Sequence, residues 1–281
     1  MKKILLAFNG RHFSKASIEF AENLNEKNPI LLTGAFLAHV DYANLLSYWG
    51  GGTAGPLFIP VVEGENSEAV QENIRQFESY CQKNGIEYRI HKDFDDFALP
   101  ELKKETRFAD LLLISADTFY KNPGSDEPSE YLKEALHGVE CSVVVIPEES
   151  VFPETNILAY DGSAQSVFAI KQFAYLFPEL SSNETILIYA DKKENEELPD
   201  EANIEELAAR HYSNLVISRV HTDPKKFFHS WLLEKKNSIL VSGAFGRSGF
   251  SRLFHKGFVS DIIKEHKLDR CLSRTVYNSA I

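Results

Sequence analysis

The residues best suited to chemistry lie late in the chain. Gly243-Ala-Phe-Gly246-Arg247-Ser-Gly249 follows the apolar run NSILVS and precedes a stretch that reads as helix. Glycines in such a turn let backbone N–H groups approach an anion, and a helix N-terminus adds partial positive charge. Arg247, Arg252, His255 and Lys256 form a basic cluster there, within a chain of formal net charge −11. The run is not a P-loop, because no Gly-Lys-Ser/Thr follows. Its first two glycines are three residues apart, which also excludes the dinucleotide fingerprint. The spacing alone equally suits a tight strand-to-helix turn with a solvated basic face. A second passage, ILAYDGS, places the carboxylate of Asp161 directly after another apolar run.

Other chemistry is sparse. The nine histidines show no HExxH spacing, and no serine sits in a GxSxG elbow. The carboxylates from Asp191 to Glu206 read as a solvated loop and helix start, with a hard-metal site as the alternative. The loop YWGGGTAG (48–55) has glycines but no lysine to grip phosphate. It reads as a flap with Tyr48 and Trp49 as docking groups, or as an ordered loop packing its own aromatics. No catalytic residue and no protein-held metal site is expected.

The elements that must position these residues follow from length and pattern. The 281 residues suit two domains. A chain that is 43% hydrophobic and 25% charged is ordinarily globular. The acidic balance argues against a nucleic-acid partner, which calls for a basic face. No apolar run approaches a membrane span, and Ile4–Phe8 is too short for a signal-peptide core. Cys81, Cys141 and Cys271 are widely spaced, with no CxxC. These features predict a cytoplasmic protein with reduced thiols.

The chain repeats itself. Placing Asn9 on Asp161, 152 residues apart, brings Ala7 onto Ala159, Gly10 onto Gly162, Ser14 onto Ser166 and Ile18 onto Ile170. ADLLLIS, ending at Ser115, matches NSILVS, ending at Ser242, at a spacing of 127. The polar segment EESVFPET (148–155) reads as a linker between units 1–149 and 154–281. In the first unit strands are predicted at Ile4–Phe8, Ile30–Val40, Ile86–Ile90, Leu111–Ser115 and Ser142–Ile146. Helices are predicted at Ser14–Leu24, 67–84, Leu99–Phe108 and Tyr131–His137. This alternation implies five-stranded parallel sheets with helices on both faces, and ligands at the C-terminal strand ends where strand order reverses.

ILAYDGS together with SGAFGRSGFSRLF resembles the universal stress protein family, in its tandem form. The resemblance covers nearly the whole chain. It implies a Rossmann-like fold of the HUP type, a stress-response binding or regulatory role rather than a dedicated enzyme, and self-association through the last strands. It also implies adenine nucleotide, ATP accompanied by Mg²⁺, in the second unit. Carried over by position, Asp161 faces the adenosine end, and Gly243 and Gly246 pass the phosphates with Arg247 alongside. The family pattern then asks for Gly-Ser or Gly-Thr, but Lys256, Gly257 and Phe258 stand there. Lys256 can substitute as a point charge to phosphate. The first unit departs further, with Asn9 for the Asp and no GxxG after Ser115. The rival readings are a scaffold of the same fold without nucleotide, and a slow ATP hydrolase.

The C-terminus departs as well. Where the resemblance implies a Pro and a buried strand, the chain reads DRCLSRTVYNSAI. Arg270 and Arg274 fit poorly in a strand covered on both faces. One back-translation of Asp269–Asn278, read from its third base, gives Pro-Val-Phe-Ile-Ala-His-Arg-Ile. The expectation is a last strand of the second unit that is lost or altered, with Leu272–Tyr277 as a poorer edge strand otherwise.

Overall fold

The computed structural model describes residues 1–9, 13–37, 68–93, 98–115, 139–148, 150–191, 197–221, 237–243 and 270–274. The first half runs β1 (Lys2–Asn9), α1 (Lys15–Lys27), β2 (Ile30–Leu37), α2 (Glu68–Lys83), β3 (Glu87–Asp93), α3 (Ala98–Thr106), β4 (Leu111–Ser115) and β5 (Ser142–Ile146). The second runs β6 (Thr155–Ala159), α4 (Ala164–Leu176), a 3-10 turn (Pro178–Leu180), β7 (Glu184–Asp191), α5 (Glu201–His211), β8 (Leu215–His221), β9 (Ser238–Gly243) and β10 (Arg270–Arg274). The helix expected at Tyr131–His137 and the loop 48–55 lie outside the described residues.

One sheet takes all ten strands, in the order β3-β2-β1-β4-β5-β10-β9-β6-β7-β8. Every neighbouring pair is parallel except β5 with β10, which is antiparallel. Each half therefore repeats one strand order, with its reversal point between its first and fourth strands. Strands β4 and β5 are buried at every position, as unbroken apolar runs covered on two faces require. Ile4, Leu6 and Phe8 pack with α1 and α2 in one cluster. Leu5 and Ala7 are buried on the opposite face, where α3 returns across β1 and β2. Right-handed crossovers produce this division: steps from β1 to β3 keep their helices on one face, and the step back to β4 needs the other.

The local signals are physical. In α2, Val70, Ile74, Phe77 and Cys81 form the buried stripe. Gly85 ends it at φ +63, letting Ile86 N–H donate to Cys81 O at 2.9 Å, the long closing bond of a glycine C-cap. Where the halves meet, Phe20 of α1 packs on Phe152 and Phe177, with centroids 5.2 and 6.2 Å apart. Lys2 Nζ donates to Leu176 O at the end of α4, lies 3.8 Å from the buried Glu179 carboxylate and 5.9 Å from the Phe177 ring centre.

Sheet register corrects two of the expected equivalences between halves. Ile4 pairs with Leu111, and Asn156 pairs with Ile239. Keeping Asn9 on Asp161 therefore puts Leu111 on Ile239, at a spacing of 128, and Ser115 on Gly243 rather than Ser242. Leu111, Leu113, Ile239 and Val241 share the same core cluster, and a one-residue slip would send them to opposite faces. The helices follow a different spacing. The N-cap of α1 is Ser14 and that of α4 is Ser163, so Ser14 corresponds to Ser163, not Ser166. From the equivalent positions Asn9 and Asp161 to the N-caps Ser14 and Ser163, the first half has three residues more.

The last strand is not lost. Backbone pairs form over Arg270–Arg274, and they lie inside the sheet between β5 and β9 rather than at an edge. Among the described residues, no helix is long and apolar enough to cross a membrane.

Candidate functional site

The second half's reversal point lies between the C-terminal ends of β6 and β9. Beyond β6, Tyr160 N–H still donates to Ile188 O at 3.0 Å, so the strand's direction carries into the turn. The Tyr160 ring is fully buried, and its hydroxyl donates to Pro199 O at 2.8 Å. Burial, and next the charges of Asp200 and Asp161, push the Tyr160 hydroxyl above the ordinary tyrosine range. It stays protonated and serves as a donor.

Asp161 follows, half-buried. Its Oδ1 accepts from Ser163 N–H at 3.0 Å, the local bond that makes Asp a turn former. Gly162 is at φ +76, and a Cβ there would stand 2.8 Å from Pro199 Cβ. Two constraints, left-handed backbone and the absence of space, make this position a glycine. Ser163 then caps α4: its Oγ accepts from Ser166 N–H at 3.1 Å, and Ser166 Oγ donates to Ser163 O at 2.8 Å.

Gly243 closes the other side. A Cβ on it would lie 2.6 Å from both Gln165 C and Ser166 N, deep inside van der Waals contact with backbone. The end of β9 and the first turn of α4 thus lie directly against one another, with the Asp161 turn at the head of the same helix. The structure brings together Asp161 and Gly243 of the expected site. Gly246, Arg247, Lys256 and Gly257 lie outside the described residues.

Sequence reading missed the segment Leu198-Pro199-Asp200. Leu198 is buried, Pro199 meets Gly162 and Tyr160, and Asp200 stands at φ +50 at the head of α5. The only signal was Pro-Asp before a helical run, which marks a helix start but not what it touches. Among the described residues, no group of three or more His, Cys, Asp or Glu side chains is arranged to hold a metal ion.

The same place in the first half is chemically different. Phe13 stacks on Phe8 with centroids 5.4 Å apart, and Phe8 stacks on Phe36 at 4.7 Å. Ser115 stands at the position of Gly243, and its Oγ donates to Glu148 Oε1 at 2.8 Å. An aromatic stack and a carboxylate offer nothing to a phosphate. The longer β1–α1 connection separates the strand end from the helix start by more chain.

No protein-family model matches the sequence, and no curated protein matches it. Solved structures do. A universal stress protein from Archaeoglobus fulgidus aligns with 99% of this chain and 98% of its own, at a TM-score of 0.68 and 13% identity. A putative universal stress protein from Pseudomonas aeruginosa aligns with 98% of this chain and 93% of its own, at 0.55 and 11%. A functionally unknown protein from the same species, PA1789, aligns with 98% and 92%, at 0.55 and 12%.

Proposed function

We propose that this chain, which has the fold of the solved universal stress proteins along nearly its whole length, is a tandem universal stress protein, with domains over 1–149 and 154–281, acting as a cytoplasmic binding or regulatory protein rather than an enzyme. Its ligand is an adenine nucleotide, ATP with Mg²⁺, held by the second domain. Asp161 receives the adenosine end. The phosphates pass Gly243 and Gly246, with Arg247, Lys256 and Gly257 supplying charge and close backbone approach.

The observation that carries the reading is the meeting of the Asp161 turn, the head of α4 and the end of β9 at the reversal point of the strand order. Ligands of open parallel sheets bind at that crevice. The first half, with Phe13 on Phe8 and Glu148 on Ser115, is a structural partner in this reading. The pairing expected of last strands is made inside one chain, between β5 and β10. Self-association of whole chains must therefore use another surface.

The scaffold reading, without nucleotide, draws on a specific fact. Gly162 and Gly243 are each explained by packing against Pro199 and α4, with no ligand needed. A slow hydrolase would need a positioned water and metal contacts beyond Asp161. One experiment separates the binding reading from the scaffold. Purified protein, denatured and examined by absorbance and mass spectrometry, releases adenine nucleotide if the second domain holds it. Protein that is free of nucleotide, and that gains no thermal stability from millimolar MgATP, makes the chain a scaffold.

A further inference from the structure

Strand β10 occupies a place that its residues do not suit. It lies between β5 and β9, and its neighbours Ser142–Ile146 and Ser238–Ser242 are buried at every position. Register makes it the counterpart of β5. Leu111 pairs with Ser142 in the first half, and Ile239 pairs with Arg270 in the second. The spacing of 128 that relates Leu111 to Ile239 thus relates 142–146 to 270–274. Val144 and Leu272, equivalent positions, pair directly across the antiparallel seam. This is a local two-fold contact, which asks the same surface of both strands. One strand answers with Ser-Val-Val-Val-Ile, the other with Arg-Cys-Leu-Ser-Arg.

The genetic code offers a reason. Read from the third base of each codon, a shifted codon takes as its second base the first base of the next residue. A second-base T always encodes Phe, Leu, Ile, Met or Val. Cys271 always begins with T, Ser273 does in its TCN codons, and Leu272 does in TTA or TTG. With those codons the shifted frame supplies three successive apolar residues at the register positions of Val143, Val144 and Val145. With a CGN codon for Arg270, the residue before them is Pro or Ser, at the position of Ser142. We infer that residues 270–274 stand where the overlapping frame of the same bases encodes an apolar strand. The chain's frame changed between β9 and β10. The seam between the halves is then closed by backbone pairing, without the apolar surface the other frame carries. This inference does not rest on nucleotide binding.

Two measurements test it. The first is the nucleotide sequence of codons 269–274. The expected codons are CGN for Arg270, TTA or TTG for Leu272 and TCN for Ser273. AGA or AGG at 270, CTN at 272, or AGT or AGC at 273 breaks the shifted run and overturns the inference. The second is the full chain carrying Arg270→Pro, Cys271→Val, Leu272→Phe, Ser273→Ile and Arg274→Ala. Its expected melting temperature exceeds the parent's by at least about 4 °C. An equal or lower melting temperature, or failure to fold, overturns it.

Discussion

At the scale of single residues, three glycines answer to different demands, and their substitution should rank accordingly. Gly85 is left-handed but has nothing within 4 Å of where a Cβ would stand. Gly85→Ala should cost about 1 kcal/mol, the conformational cost alone. Gly162 combines the same conformation with a Cβ 2.8 Å from Pro199. Gly162→Ala should cost about 2–3 kcal/mol, strain and overpacking together. Gly243→Ala should cost about 1–3 kcal/mol, because the obstacle is helix backbone that cannot swing aside. Urea unfolding measures all three, and equal costs at Gly85 and Gly162 would contradict the contact with Pro199. A second residue-scale expectation concerns Cys81. Burial alone pushes its thiol up to about 12, so almost no thiolate exists at pH 8. Cys81 should resist a thiol reagent in native protein and react once urea unfolds it, as followed by peptide mass spectrometry. Asp161 and Gly243 were legible in the sequence because each ends an apolar run. Tyr160 was not, since its ring reads as core and its bond to Pro199 joins segments 39 residues apart.

At the scale of elements, legibility tracked burial. LLLIS and SVVVI could be read as strands because burial on both faces leaves an unbroken apolar run. Helix α2 could be read because one buried stripe recurs at helical period. Matching Ser14 to Ser166 misaligns α1 and α4, because it ignores where each helix begins. The better signal was a shared Ser-x-x-Ser, with Ser14 and Ser163 capping and Ser17 and Ser166 in the first turn. The strand slip at Ser115 arose similarly, from matching identical serines rather than faces. Ser163→Ala should cost about 1 kcal/mol, the usual loss for an N-cap, again by urea unfolding. It should also loosen the helix head against which Gly243 packs.

At the scale of the whole molecule, two halves share one sheet, and the seam between them is asymmetric. On one face Phe20, Phe152 and Phe177 join α1 to the second half, and Lys2 holds the end of α4. Phe20→Ala should cost about 3–5 kcal/mol, as for other buried aromatics, and should uncouple the halves into two unfolding steps by calorimetry. The continuity of the sheet through β5 and β10 was not legible. The sequence of β10 argues against a buried strand, and only backbone register revealed its place. The overall charge of −11 conceals a basic stretch of sequence from Arg247 to Lys256.

The proposed adenine-nucleotide site of the second half lies where the Asp161 turn meets β9. Calorimetric titration of MgATP into the full chain, beside Asp161→Ala, Gly246→Val and Asn9→Ala variants, tests it most directly. One site per chain is expected, at least tenfold weaker in Asp161→Ala and Gly246→Val, a loss of about 1.4 kcal/mol or more, and unchanged in Asn9→Ala. No binding by the parent chain, or binding that Asp161→Ala and Gly246→Val leave untouched, would contradict it.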